Sequence, residues 1–240
     1  MLVFYGVYSA VRNAGVKGAG PEHAFHNARR IIAAERALHI FVEHGIQEIF
    51  LRHARWLVWI ADNFYGSAHF IVTIVALVYC FRRMPERYPL WRNTLACMTA
   101  LALLGFAFFP LLPPRLLYEF PSGVHYHFVD TLKSVGGLWN FDSGAMQKVS
   151  NQYAAMPSLH FGWSSWCAFV LYPALRHRWS KALMVAYPFI TLFVIVVTAN
   201  HFILDAAGGV AVFGGGYLVG REITRRISLR TPKAAQPAAL

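Results

Sequence analysis

The sequence contains few charged residues and very little cysteine. Only 14% of its 240 residues are Asp, Glu, Lys or Arg, while 57% are hydrophobic, and both values depart from those of typical soluble domains. The mean hydropathy of +0.42 favours an integral membrane protein. Cys80, Cys97 and Cys167 each lie in an apolar stretch. Their odd number and irregular spacing argue against disulfides and against a cysteine metal site.

Acidic residues are the scarcer charged class, with 11 Asp and Glu against 22 Lys and Arg, giving a net charge of +11. The basic residues form short clusters between hydrophobic runs, not a stripe or groove, so the charge does not indicate a nucleic-acid partner. Such clusters are typical of membrane topology. The sequence also lacks an internal repeat, which disfavours the repeated halves common in transporters.

Five hydrophobic runs are long enough, or nearly so, to cross roughly 30 Å of hydrocarbon. They cover Trp56–Phe81, Trp91–Leu112, Pro157–Leu175, Leu183–Asn200 and His201–Val219. The shorter apolar segment Leu2–Val11 predicts a partial or tilted first span. These runs predict an all-α fold, a polytopic membrane bundle of about six transmembrane helices.

Two other stretches are assigned outside the spans. Residues Ile31–Arg55 alternate apolar and charged positions at helical spacing, which predicts an amphipathic helix at the membrane interface. The basic tail at 231–240 is rich in Ala and Pro and is predicted to be disordered. Residues 1–240 are therefore expected to form a single integral membrane domain.

Basic clusters orient the predicted spans. They follow the first, third and fifth hydrophobic runs, and the positive-inside rule places all three in the cytoplasm. The segment Pro113–Met156 and the turn at Asn200 and His201 then lie on the extracytoplasmic side. Basic residues between Arg12 and Arg55 do not fit if the first segment crosses. Either that segment does not cross, or the interfacial helix binds anionic headgroups.

Ionisable residues stand at the edges of these apolar runs. His160 lies in AAMPSLHFGWS, and His201 and Asp205 lie in TANHFILDAAGG. A charged side chain in the bilayer costs roughly 2.5–3.5 kcal/mol on insertion scales, so its presence predicts a function. Alternating crossings bring both segments to the same face as FPLLPPRLL, which contains Arg115. The sequence therefore predicts one polar site built from three distant segments.

The start of the third run and the proline-rich segment fit phosphate binding. Pro157 is predicted in the first turn of a helix and Ser158 among its free backbone N–H groups, which attract anions. Arg115 follows Pro113 and Pro114 and offers a planar guanidinium that matches phosphate oxygens. We expect Arg115, Ser158 and Pro114 to contribute to substrate binding.

The two histidines fit nucleophilic and acid–base roles. His201 and Asp205 are four residues apart and share a helix face, so the carboxylate can hold one ring nitrogen and raise the basicity of the other. His201 is therefore a candidate nucleophile toward phosphorus. His160 is then the candidate general acid for the leaving oxygen.

Further polar residues have two interpretations each. Tyr65, His69 and Asn63 lie inside the first run and are candidates for lining the substrate cavity, although interhelical hydrogen bonding explains them equally well. His125, His127 and Asp130 resemble a metal-ligand set, but an ordinary solvated loop is favoured and no metal site is expected. The run Gly214–Gly216 with Gly220 gives a GxxxG spacing, which permits close helix packing.

The motifs PSLH and HFILD resemble the second and third signatures of the type 2 phosphatidic acid phosphatase (PAP2) superfamily, and PPRL occupies the place of the first. The longer contexts are similar to the branch that includes inositolphosphorylceramide synthases and their bacterial relatives. The resemblance implies a PAP2-like core at about residues 56–220. It also implies that His201 forms a phosphohistidine, that Asp205 orients it, that His160 protonates the leaving group, and that no metal or other cofactor is required.

The chain departs from the superfamily signatures at three positions. Phe108 stands where the first signature has a lysine, Leu116 where it has a proline, and Ile195 where the third usually has an arginine. Two phosphate-binding cations are therefore missing. A site with less positive charge suits a phosphodiester or a transferred phospho-headgroup better than a dianionic monoester, which favours the synthase-like branch.

These features predict a lipid phosphatase or phosphotransferase in a bacterial inner membrane. It is expected to act at the extracytoplasmic face on a phospholipid or polyprenyl phosphate, with transfer of an inositol-phosphate-like headgroup favoured. Its partners are then lipids and not nucleic acid. A simple lipid phosphate phosphatase is one alternative, and a non-catalytic transporter or binding protein with Asp62, Asn63 and His69 in its site is another. A haloperoxidase-like enzyme is disfavoured because that class is normally soluble.

Overall fold

The computed structural model describes residues 21–119, 126–136 and 153–230. Every regular element in these ranges is helical. The α-helices are α1 Pro21–Ala37, α2 Glu43–His53, α3 Arg55–Arg83, α4 Tyr88–Phe108, α5 Thr131–Ser134, α6 Leu159–Leu171, α7 Arg178–Val197 and α8 Ile203–Arg230. Short 3-10 helices cover Pro114–Glu119 and Tyr172–Ala174. The predicted partial span Leu2–Val11 and the tail at 231–240 lie outside the described residues.

Four helices in these ranges are long and apolar enough to cross a membrane: α3, α4, α7 and most of α8. They match four of the five predicted spans, with boundaries shifted by several residues. Large apolar side chains on their outer surfaces are exposed, among them Phe70, Ile74, Leu104 and Phe189, as lipid contact requires. The chain is therefore a membrane protein.

The remaining predicted span, Pro157–Leu175, forms a shorter helix than expected. Helix α6 has 13 residues, about 20 Å at 1.5 Å per residue, less than the hydrocarbon thickness. It packs against α3, α4, α7 and α8, and Trp166, Cys167 and Val170 on it are fully buried. Its hydrophobicity therefore reflects burial among other helices.

The predicted single interfacial helix over Ile31–Arg55 is wrong, because the structure divides this stretch into α1 and α2. Helix α1 ends with a Schellman arrangement in which Ile40 N–H donates to the Glu35 carbonyl at 2.9 Å and His39 N–H to the Arg36 carbonyl at 3.1 Å. His39 has a φ of 58° there. The position is usually glycine, and a histidine gave no signal of a helix end.

The small residues of α8 let it approach α4 closely. A Cβ added at Gly216 would lie 2.6 Å from the Met98 backbone nitrogen, and one at Gly220 would lie 2.6 Å from that of Thr94. Such distances leave no room for a side chain. The predicted role in close helix packing is confirmed for Gly216 and Gly220 but not for Gly214, where an added Cβ would meet nothing within 4 Å. The three cysteines are free, as expected from their spacing.

Candidate active site

Backbone hydrogen bonds join the three segments that were predicted to converge. Leu111 N–H donates to the Tyr153 carbonyl at 2.8 Å, which places the residues after α4 beside those before α6. Arg115 N–H donates to the Ala199 carbonyl at 2.8 Å, and Ser158 N–H donates to the Asp205 carbonyl at 2.9 Å. The proline-rich segment, the start of α6 and the turn between α7 and α8 therefore form one structural unit.

The turn between α7 and α8 is shaped by a second Schellman arrangement. Asn200 N–H donates to the Ile195 carbonyl at 3.0 Å, and Ala199 N–H donates to the Val196 carbonyl at 2.9 Å. Ala199 has a φ of 52°, a left-handed conformation that costs an alanine about 1 kcal/mol or more. This strained turn directs His201 back toward α6.

His201 lies just before α8, and its Nδ1 faces two oxygen acceptors. Asp205 Oδ2 is 3.2 Å from Nδ1, and the Ala155 carbonyl oxygen is 2.8 Å from it. Asp205 Oδ2 also accepts the Phe202 N–H at 2.9 Å. Because both neighbours of Nδ1 are acceptors, Nδ1 carries a proton and Nε2 keeps its lone pair. Nε2 is buried and has no hydrogen-bond partner among the described residues.

His160 stands on the first turn of α6, close to His201. The two ring centroids are 5.6 Å apart, with the rings at 60°. Tyr65 of α3 stacks on His160 with a centroid distance of 4.1 Å and an interplanar angle of 21°. His69, one turn further along α3, contacts the same ring at 4.1 Å, and its Nδ1 donates to the Tyr65 carbonyl at 3.0 Å. The structure thus brings two of the three predicted α3 residues to the histidines.

Arg115 lies beside the turn between α7 and α8, and a carboxylate contacts it. Its Nε donates to Asn200 Oδ1 at 2.9 Å, next to His201. Its Nη1 donates to Asp130 Oδ2, also at 2.9 Å. The side chains of Arg115 and Asp130 are 8% and 10% exposed, so this ion pair is largely buried. The main predicted phosphate ligand therefore has an internal counter-charge that the sequence did not indicate.

The other predicted substrate-binding residues have local roles in the structure. Ser158 is the N-cap of α6, and its Oγ accepts the Phe161 N–H at 3.4 Å. Pro157 therefore precedes the helix and is not in its first turn. Pro114 is buried at the start of a 3-10 helix, and Asn63 donates to the Trp59 carbonyl of its own helix at 2.8 Å. Substrate binding by Ser158, Pro114 and Asn63 stays a prediction.

Two buried glutamates, Glu35 of α1 and Glu43 of α2, contact the start of α8 and were not predicted from the sequence. Glu43 Oε1 accepts the Ile203 N–H at 3.0 Å, and Glu35 Oε1 accepts the Leu204 N–H at 2.8 Å. Both side chains are fully buried. They satisfy first-turn N–H groups of the helix that carries Asp205. In an amphipathic stretch, such glutamates are normally predicted to face solvent. The scarcity of acidic residues in the chain was the only signal that these two could have another role.

The carboxyl groups of Glu35 and Glu43 also interact with each other. Burial raises the pKa of Glu35 from its ordinary value of 4.5 to about 9, and the neighbouring Glu43 carboxyl adds to this increase. Glu35 is therefore protonated at neutral pH. Both carboxyl groups lie at the N-terminus of α8.

The described residues contain no group of three or more His, Cys, Asp or Glu side chains that could hold a metal ion. The ring of His127 lies 6.4 Å from that of His44, while His125 lies outside the described ranges. Asp130 Oδ2 forms an ion pair with Arg115, and Lys133 Nζ lies 3.8 Å from the same oxygen. The Asp130 contacts observed here are thus with cationic side chains.

The model of the PAP2 superfamily matches residues 29–219. This match covers most of the chain, so the protein belongs to the PAP2 superfamily. Members of this superfamily are phosphoesterases, and an enzyme of this general kind is supported. The match begins within α1, so it includes α2 as well as the core expected at residues 56–220. No curated protein and no solved structure gave a significant match.

Proposed function

We propose that the protein is a lipid phosphatase or phosphotransferase that works through a phosphohistidine intermediate. One observation carries the proposal: a buried His201 whose Nδ1 is held by Asp205 and a carbonyl, with the ring of His160 5.6 Å away. A nucleophile oriented by a carboxylate and paired with a second imidazole is the arrangement that nucleophilic catalysis requires. The substrate is a phospholipid or a polyprenyl phosphate.

In the first half-reaction, the lone pair of His201 Nε2 attacks phosphorus while the bond from phosphorus to the leaving oxygen breaks. Burial and the neighbouring His69 and His201 lower the pKa of His160 well below its ordinary value. His160 is therefore charged only when the anionic phosphate is bound, and it then gives its proton to that oxygen. The negative charge that remains on Asp205 stabilises the imidazole as it becomes positively charged. Arg115 and the N–H groups at the start of α6 bind the non-reacting phosphate oxygens.

In the second half-reaction, an oxygen nucleophile attacks the phosphohistidine. His160, now neutral, accepts the proton of the attacking hydroxyl, and the bond from phosphorus to Nε2 breaks. Water as the nucleophile gives hydrolysis, and an alcohol gives transfer. Neither half requires a metal ion or another cofactor, since the histidines supply both the nucleophile and the proton transfers.

Transfer of a phospho-headgroup is the favoured outcome, as in the synthase-like branch that the motifs resemble. Ile195, which replaces a family arginine, is fully buried, and Phe108, which replaces a lysine, is 82% exposed. Neither position supplies a cation to the phosphate. A site with one main cation suits an inositol-phosphate-like diester better than a doubly charged monoester.

The proposed location is the inner membrane of a bacterium, with the histidines on the extracytoplasmic side. Support comes from the basic residues at the opposite ends of the spans. Arg82 and Arg83 end α3, and Arg221, Arg225 and Arg226 lie in the last turns of α8. Such residues remain preferentially in the cytoplasm.

The proposal is tested by incubating the purified protein with labelled phospholipids and following released headgroup and acid-labile phosphoenzyme. Replacing His201→Ala is expected to abolish the phosphoenzyme and to lower turnover by at least about a thousandfold. His177→Ala, a change at an exposed histidine between α6 and α7, is the matched control and should leave both unchanged. Turnover that survives His201→Ala contradicts the mechanism. No turnover across a broad lipid panel would favour the alternative of a transporter or binding protein.

A further inference from the structure

Asp130 is an unexpected partner for the principal cation of the site. A phosphate-binding arginine normally directs its guanidinium at the ligand, but here Nη1 of Arg115 is 2.9 Å from Asp130 Oδ2. The pair lines a cavity of about 370 Å³, together with Tyr118 and His127. The carboxylate therefore lies beside the guanidinium in the wall of this cavity.

The position of Asp130 is fixed by residues on both sides of it. Val129 exchanges two hydrogen bonds with the Gln47 side chain of α2, each 2.9 Å long. Thr131 Oγ1 donates to Asp62 Oδ1 of α3 at 2.8 Å. These anchors are independent of Arg115, so the backbone holds the carboxylate against the guanidinium. An isolated surface ion pair would not have such anchoring hydrogen bonds on both sides.

A fixed carboxylate at this point changes how the site responds to charge. It offsets much of the attraction that Arg115 exerts on a phosphate, and in a partly buried setting unit charges a few ångströms apart interact strongly. A phosphomonoester carries about −1.5 to −2 at neutral pH, whereas a phosphodiester carries one negative charge. The repulsion from Asp130 therefore acts about twice as strongly on the monoester.

We propose that Asp130 is a specificity-determining residue that makes the site select lipid phosphodiesters over lipid phosphomonoesters. This inference rests on the proposed function, since it concerns which phosphate the histidines receive. It assigns the preference to one residue of this chain that lies outside the three signature motifs. Lys133 Nζ lies 3.8 Å from Asp130 Oδ2 on a half-exposed side chain, so solvent screens its charge more than the charges of the buried pair.

The test compares two lipids with the same acyl chains, phosphatidate as monoester and phosphatidylinositol as diester. The ratio of their kcat/KM values is measured for the wild type and for Asp130→Asn, which keeps the shape and an acceptor for Arg115. The wild type is expected to prefer the diester, and Asp130→Asn to shift the ratio about tenfold toward the monoester. Glu222→Gln is the matched control, because Glu222 also accepts from arginines, Arg225 and Arg226, but at an exposed site on α8.

An unchanged kcat/KM ratio in folded Asp130→Asn protein would overturn the inference about Asp130. Phosphoenzyme formation in the same experiment would still support the proposed function. Absence of phosphoenzyme in the wild type with both lipids would overturn both. Should Asp130→Asn lose turnover, the thermal midpoint in the presence of inorganic phosphate or dimethyl phosphate gives the answer. Asp130→Asn should gain more stabilisation from inorganic phosphate than the wild type does, and equal gains would contradict the role of Asp130.

Discussion

At the scale of single residues, the site depends on the environment of one ring nitrogen. His201 Nδ1 meets a carboxylate and a backbone carbonyl, both within hydrogen-bond distance. The carbonyl fixes the tautomer, and the carboxylate adds the negative charge that would favour a cationic ring in the proposed attack. The same Asp205 oxygen accepts the Phe202 N–H, so orientation of the nucleophile and the start of α8 share one acceptor.

The substitution Asp205→Asn removes the negative charge of this side chain and keeps its shape, so it tests the contribution of the charge. One Asp205 oxygen meets both the Phe202 N–H and His201 Nδ1, so an amide oxygen in that place keeps both contacts and removes the negative charge that stabilises the imidazolium. We expect phosphoenzyme formation to slow by about a thousandfold or more, with a small change in thermal midpoint. Rapid-quench measurement of the phosphoenzyme checks this. A variant that is fully folded and nearly as fast as the wild type would show that Asp205 has no orienting role.

At the scale of secondary structure elements, the geometry of the site depends on how closely α8 approaches α6. A Cβ at Gly209 would lie 2.6 Å from the Ser158 carbonyl oxygen and 3.2 Å from the Gly162 nitrogen. Both contacts are with backbone, which has little freedom to move. The absence of a side chain at Gly209 is therefore what lets the two histidine-bearing segments lie side by side.

Gly209→Ala is expected to push α8 away from the start of α6. The overlap should lower the free energy of unfolding by about 1–3 kcal/mol. The loss in kcat, expressed as a free energy, should be larger, because the histidine rings separate. Thermal midpoint and kcat are measured together. Gly214→Ala is the control on the same helix, since a Cβ there meets nothing within 4 Å. Equal effects of the two substitutions would show that close approach at Gly209 is unimportant.

At the scale of the whole molecule, the N-terminal helices contact the candidate active site. Glu35 of α1 and Glu43 of α2 cap α8, about 160 residues further along the chain, and Gln47 of α2 anchors Val129 beside Asp130. The match to the superfamily begins at residue 29, in agreement with these contacts. An amphipathic helix that merely lay on the membrane would not need buried carboxylates.

The raised pKa of Glu35 links this contact to pH. The unfolded chain releases the Glu35 proton above about pH 4.5, whereas the folded protein holds it until about pH 9, where Glu43 and Asp205 disfavour a further charge. The free energy of unfolding therefore falls between these pH values, by at most about 1.4 kcal/mol per pH unit for this one proton. Glu35→Gln removes the titrating group and should flatten the decline.

Thermal midpoints at pH 5.5, 7 and 8.5 measure this effect. The wild type should lose more stability toward high pH than Glu35→Gln does. Glu22→Gln, at an exposed position in the first turn of α1, should keep the wild-type pH dependence. Parallel pH curves for the wild type and Glu35→Gln would show that Glu35 does not hold a proton in the folded protein.

Hydropathy and motif spacing were enough to predict the membrane class and the main residues of the candidate site. Long apolar runs require a hydrophobic environment whatever their neighbours are, so hydropathy located the four long helices. His160, His201 and Asp205 were evident because ionisable groups are costly beside such runs, and the spacing from His201 to Asp205 is a local helical property. The length of α6 was overestimated because burial in a bundle and exposure to lipid favour the same residues.

The contacts around those residues depend on the packing of distant parts of the chain. The pairing of Asp130 with Arg115, the capping of α8 by Glu35 and Glu43, and the stacking of Tyr65 on His160 all join residues that are far apart in sequence. Such contacts leave no periodic pattern, because a buried carboxylate and a solvated one have the same letter in the sequence. Helix packing determines whether a carboxylate is buried or solvated. Helix packing therefore also determines which charges lie next to a bound substrate.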